Sequence, residues 1–199
     1  MKQANHGDSC TEQPKIDRPY LLVTSIPYFL GADGSIWLEQ LWHRDLAAHV
    51  RYLERLTLAA PCYPKTAESH LVRLDIPSGV MLRLQAIPRM ESTLGAVLRF
   101  PKTVATLWSA IGQVEIVHSG VAGWPYPIGW VANSIALARR KKLILVVEST
   151  PWRLIGSSRH NWKHRLRARV AEPLARFFVD RADLCIFTQP GYRDSLLTQ

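Results

Sequence analysis

Apolar and polar positions divide this chain into short apolar runs separated by longer segments of helical period. Leu21, Leu22, Val23 and Ile26 form the first run, within 20–26, dense enough in β-formers for a buried strand. Further runs cover 56–60, 71–76, 80–87, 114–118, 143–147 and 184–188. Between the first two, Leu38, Leu41, Trp42, Leu46, Val50 and Leu53 recur at helical spacing. Residues 94–112 and 128–140 are also helical in pattern, and Pro101 predicts a kink or a break into two short helices. The segment 157–181 predicts a long helix whose stripe of Trp162, Leu166, Val170, Leu174 and Phe177 or Phe178 turns mainly toward the sheet. Pro77-Ser78-Gly79 suits a turn, so 71–76 and 80–87 are read as a third strand with an extension or a hairpin. Pro190 opens a final helix. Strands alternating with helices predict a doubly wound, mostly parallel Rossmann-like α/β sheet of about six strands with helices on both faces.

In such a sheet the loops after the strands share one rim, where ligands bind. After the first strand comes Gly31-Ala-Asp-Gly34, then Ser35 as an N-cap and Glu39 in the first helical turn. This layout makes Gly31, Asp33 and Gly34 candidate substrate-binding residues, since backbone N–H groups at a helix start suit a phosphate. The competing reading is a turn that needs two glycines for geometry alone; the pattern is neither G-x-G-x-x-G nor a P-loop. His118 ends a strand and is a candidate general base or hydroxyl-binding group, against a histidine that merely holds the next loop. Glu148 follows five apolar residues and is a candidate base or sugar-hydroxyl acceptor, against an ion pair with Arg153. Arg153 is itself a candidate for binding substrate. Trp124, Tyr126 and Trp130 lie in a proline-stiffened loop whose aromatic faces suit a sugar ring, Tyr126 above all, or pack as a lid on the core.

With 199 residues and 47% apolar composition, the chain predicts a single sizeable core. Residues 1–18 are polar and are expected to form a disordered tail without a signal sequence. No apolar run reaches the ~20 residues of a membrane span. Three widely spaced cysteines without C-x-x-C spacing predict neither disulfides nor a metal site, which fits a cytoplasmic location.

The net charge is +9, and its placement is uneven. Twelve Lys/Arg but three Asp/Glu lie between 139 and 181, while the thirteen cations elsewhere are matched by thirteen acids. The whole excess thus sits in one segment and suggests an anionic partner. Arg159, Lys163 and Arg167, with Trp162 as an anchor, resemble a basic interfacial helix on an anionic membrane; the competing reading is a solvated face. No nucleic-acid module accompanies the cluster, so nucleic acid is the weaker partner.

Four stretches together resemble the N-terminal domain of GT-B-fold glycosyltransferases of the family 4-like group. They are the opening strand with its glycine loop, Leu46-Ala-Ala-His-Val50 running to Leu56-Thr-Leu-Ala-Ala-Pro61, Val114-Glu-Ile-Val-His118, and Arg181-Ala-Asp-Leu-Cys-Ile-Phe-Thr-Gln-Pro-Gly-Tyr-Arg193. The resemblance spans residues 19–199. It departs after the fifth strand, where many relatives carry a histidine and this chain has Glu148-Ser149. The resemblance implies the acceptor-side half of a hexosyltransferase-type enzyme. That half would meet a nucleotide-sugar donor and a glycan or lipid-linked acceptor, without a metal, in a cleft closed by a second, C-terminal donor domain or a partner chain. Catalytic roles then fall to His118 and Glu148, with peripheral contact at the inner face of the membrane. The alternatives are a non-catalytic module docking on anionic membrane or nucleic acid through the basic helix, and another doubly wound enzyme such as a nucleotide-binding reductase, against which the missing G-x-G-x-x-G counts.

Overall fold

The computed structural model describes residues 15–66, 70–89, 92–122, 127–149 and 162–197, with the backbone alone over 162–167. Six strands form the parallel core of the sheet: β1 (Tyr20–Val23), β4 (Arg55–Pro64), β6 (Met81–Ile87), β7 (Ile116–Gly120), β8 (Lys142–Val147) and β9 (Leu184–Phe187), with the short β2 (Tyr28–Leu30) also parallel to the end of β4. Their order across the sheet is β6-β4-β1-β7-β8-β9. The first half winds outward from β1 one way and the second half the other, so the winding reverses between β1 and β7. This is the doubly wound α/β fold that the alternating pattern predicts.

Strand parity separates two cores. Leu21, Val23, Val117, Leu143, Leu145 and Val147 point to one face. There they pack against α2 (Thr93–Gly112), α3 (Ile128–Ala138), α4 (Trp162–Val179) and α5 (Pro190–Leu197). Tyr20, Leu22, Leu56, Leu58 and Ile116 point to the other face, against Trp42, Leu46 and Val50 of α1 (Gln40–Tyr52). Among the described residues α1 is the one helix on that face. Cover therefore thins toward β9, where Leu184 and Ile186 are 51% and 42% exposed.

Several local expectations are corrected. The glycine loop does not lead into a helix. It turns between β2 (Tyr28–Leu30) and β3 (Ile36–Glu39), which pair antiparallel. Ile36 and Leu38 are buried and alternate with Trp37 and Glu39, a period of two that continues the strand and delays α1 to Gln40. Ser35 is thus not the N-cap; Glu39 holds that position, without a side-chain cap. Leu41 is 75% exposed and falls outside the buried stripe. Residues 71–76 and 80–87 do not pair as a hairpin: β5 (Leu71–Arg73) joins β3 antiparallel, while β6 lies parallel to β4. α2 runs unbroken through Pro101, and Ser92 Oγ caps it by accepting from the Gly95 amide at 3.0 Å. Of the stripe expected on α4, Phe178 and Leu174 pack on the core beside Ala168, Ala171 and Ala175, Val170 and Phe177 are exposed, and the side chains of Trp162 and Leu166 lie outside the described ones. Residues 1–14 of the expected tail lie outside the described residues; just beyond them the Ile16 amide donates to the Tyr52 carbonyl, and Arg18 pairs with Glu115.

Candidate functional site

A cavity of about 560 Å³ opens on the α1 face beside the β1–β7 reversal. Its floor is the even-parity side of β7, β8 and β9. Register places Leu22 beside His118, His118 beside Ile144, and Ile144 beside Leu184. Continuing along β8, Val146 and then Glu148 line the same space. His118 does not end its strand, as the pattern had suggested; β7 continues to Gly120, so the imidazole stands on the sheet face, 93% covered.

Four rings form one wall. The Tyr20 hydroxyl lies 2.7 Å from His118 Nδ1. His49 of α1 sits 5.5 Å from His118 between ring centroids, and Tyr52 lies 5.7 Å beyond His49. Burial, helped by the neighbouring His49, pushes His118 down to about 4, so the imidazole is neutral near pH 7. Burial, and then Tyr52, push the Tyr20 phenol up, so it keeps its proton. A neutral imidazole that resists protonation is a better hydroxyl-binding group than a general base. Glu148, exposed at the end of β8, supplies a carboxylate on the same side.

The carboxyl end of β7 is shaped by close backbone packing. A Cβ at Gly129 would fall 1.8 Å from the Gly120 carbonyl oxygen, so only glycine lets the first turn of α3 approach the strand. Gly120 and Gly129 both line the cavity, bringing the positive end of the α3 dipole beside it. Ser119 Oγ donates to Asn133 Oδ1, a buried bond that ties β7 to α3.

Of the sequence-predicted residues, His118 and Glu148 are brought together on one cavity. Gly31, Asp33 and Gly34 are not. Their turn closes with the Gly31 amide donating to the Ser35 carbonyl at 2.8 Å, and Gly34 adopts φ +79°. Asp33 and Gly34 line a separate depression with Arg73 and Asp75. The Asp33 carboxylate is held below its usual range by the Ser35 hydroxyl and amide that donate to it, so the turn is satisfied from within. Tyr126, Arg153 and Arg159 lie outside the described residues. Trp162, Lys163 and Arg167 fall on the backbone of α4, with no side-chain description. Sequence reasoning missed Tyr20, Trp42, Asp45, His49 and Tyr52. One signal was present: His49 falls seven residues after Trp42, on the same helical face.

The sequence matches no family model and no curated protein. Among solved structures, the chain is similar to one from Listeria monocytogenes assigned as a UDP-N-acetylglucosamine 2-epimerase, with a TM-score of 0.53 at 12% identity. The match covers 92% of this chain and 41% of that one. A second UDP-N-acetylglucosamine 2-epimerase structure matches with a TM-score of 0.46 at 12% identity, over 91% of this chain and 45% of that one. The chain thus spans less than half the length of either neighbour. At this identity the likeness shows the fold alone, a GT-B-like, Rossmann-like domain.

Proposed function

We propose that this chain is the acceptor-side half of a nucleotide-sugar-dependent, hexosyltransferase-type glycosyltransferase. The observation that carries this reading is the convergence of His118 and Glu148 on one cavity at the winding reversal of the sheet. Doubly wound sheets place their ligands there. The cavity suits an acceptor: aromatic rings and aliphatic side chains offer faces to a sugar ring or its aglycone, Glu148 accepts a hydroxyl proton, and His118 holds a hydroxyl. That the fold is shared with part of a protein named for a nucleotide-sugar substrate supports a nucleotide-sugar donor. A second α/β domain, in the same polypeptide or another, would hold that donor and close the cleft. The acceptor would be a glycan or a lipid-linked sugar, met in the cytoplasm or at the membrane's inner face, and the reaction would need no metal.

Residues 1–199 alone should transfer no sugar and bind nucleotide-sugars weakly, with turnover appearing when a complementary donor domain is supplied. In the reconstituted enzyme, Glu148→Gln should lower kcat by about 10²–10⁴-fold while leaving the fold intact, the range for loss of a general base. Robust turnover by the isolated chain, or an unaffected Glu148→Gln enzyme, would refute the reading.

A further inference from the structure

The cavity contains a buried pair whose chemistry is fixed by hydrogen-bond accounting. Tyr20 and His118 are 4% and 7% exposed, and the phenol oxygen is 2.7 Å from Nδ1. With both groups neutral, two arrangements exist. Either the phenol O–H donates to the Nδ1 lone pair, or Nδ1–H donates to the phenol oxygen. In the second, the hydroxyl hydrogen requires another acceptor in the same buried wall, and none is recorded among the described residues. Leaving a buried donor unmade costs the desolvation of that group. In the first arrangement the phenol hydrogen is used, and the ring proton resides on Nε2, which is not among the buried unpaired atoms and so opens on the cavity, where solvent or a ligand accepts it. The imidazole is also in ring contact with Tyr20, at an interplanar angle of 86°, and with His49, at 41°.

We propose that Tyr20 is a positioning residue: it sets the tautomer of His118, so that Nε2–H is a fixed donor offered to an uncharged oxygen of the ligand. The charged side chains among the described lining residues, Asp45 and Glu148, are both carboxylates. They repel anionic groups, while a neutral imidazole offers an anion no compensating charge. A neutral donor beside two carboxylates suits a hydroxyl-rich, uncharged group over a phosphate or a uronate; the positive end of α3 at Gly129 acts the other way, but as a partial charge against two full ones. This ligand class rests on reading the cavity as an acceptor site; the role of Tyr20 does not.

The test is two-bond 1H–15N correlation of the histidine rings in the uniformly labelled full chain at neutral pH, with His118 assigned by its loss in His118→Gln. The expected wild-type pattern is a single Nε2–H tautomer with an acceptor Nδ1. In Tyr20→Phe the pattern should change to a mixture of tautomers. A wild-type Nδ1–H tautomer, or a Tyr20→Phe spectrum unchanged in tautomer, overturns the proposal. Should Tyr20→Phe not fold, the wild-type tautomer alone decides. Titration with methyl glucoside, glucose 6-phosphate and glucuronate then tests the ligand class. Shifts of the His118 ring with the neutral glycoside, strongest of the three, are expected. A stronger response to either anion overturns the ligand class. If none of the three perturbs His118 while the tautomer is as stated, the role of Tyr20 stands and the acceptor-site reading falls.

Discussion

The most consequential single side chain is His118, because its burial ties the cavity to stability. Its folded-state value of about 4 lies below the ordinary 6.5. Between those values the unfolded chain binds a proton that the folded chain does not, so acidification through this window destabilises the fold, by up to roughly 3 kcal/mol. Above about pH 6.5 the contribution is flat, since both states are then neutral. The groups facing the ring are Tyr20 from β1, His49 of α1, with Tyr52 and Asp45 on the same helix, and Glu148 beyond β8. Urea midpoints measured from neutral pH to about 4 should fall for the wild type and fall less for His118→Gln, which keeps a polar side chain but cannot titrate. Equal slopes for the two proteins would show that the acid sensitivity lies elsewhere. His118 was legible in the sequence as a histidine near a strand's carboxyl end. Tyr20 was not, because register and helix docking, both long-range, bring it to that ring.

At the scale of elements, the contact of α3 with β7 and the positive charge of the segment 139–181 make separate predictions. Gly129→Ala places a methyl group within 1.8 Å of the Gly120 oxygen and has no flexible neighbour to displace. It should destabilise the protein by about 3 kcal/mol, at the upper end for overpacking, and disturb the cavity mouth. Calorimetry of this variant decides it: an unchanged Tm would mean that α3 stands farther from β7. For the segment 139–181, we propose that its positive excess docks reversibly on anionic leaflets. Each cation near such a surface contributes about 1 kcal/mol, so four or five suffice. Co-sedimentation should show more binding to anionic than to neutral vesicles, less binding at high salt, and loss on joint replacement of Arg159, Trp162, Lys163 and Arg167. Binding indifferent to lipid charge and to those replacements would reduce the segment to a solvated face. Among the described residues, no helix is long and apolar enough to cross a membrane. The α4 stripe shows where helical period partly misleads: an i, i+4 series drifts around the helix, so Leu174 and Phe178 pack on the core as the pattern predicts, Val170 and Phe177 do not, and Ala168, Ala171 and Ala175 complete the buried line.

For the whole molecule, the sequence by itself determined the class and winding of the fold. Apolar runs of strand length alternated with amphipathic helices, and β-α-β connections are right-handed, which leaves few arrangements other than a doubly wound sheet. The strands beginning near 20, 56, 80, 114, 143 and 184 are all present. The sequence also placed His118 near, and Glu148 just past, the carboxyl end of a strand, which is enough to bring them toward one rim of a parallel sheet. Tertiary structure decided the rest. Whether 36–39 forms a strand or starts a helix depended on its antiparallel partners, 28–30 on one side and 71–73 on the other, which select the period of two over the overlapping helical period. The same pairing removed Gly31, Asp33 and Gly34 from the cavity. Opposing parities on β7 buried Val117 under α3 and α4 while turning His118 toward α1, and α1 brought Trp42, His49 and Tyr52 to meet it. Local sequence sets period and punctuation because those are properties of a few consecutive residues. Partners across the sheet are separated by many tens of residues, so the polar chemistry of the cavity exists only after the chain has closed on itself.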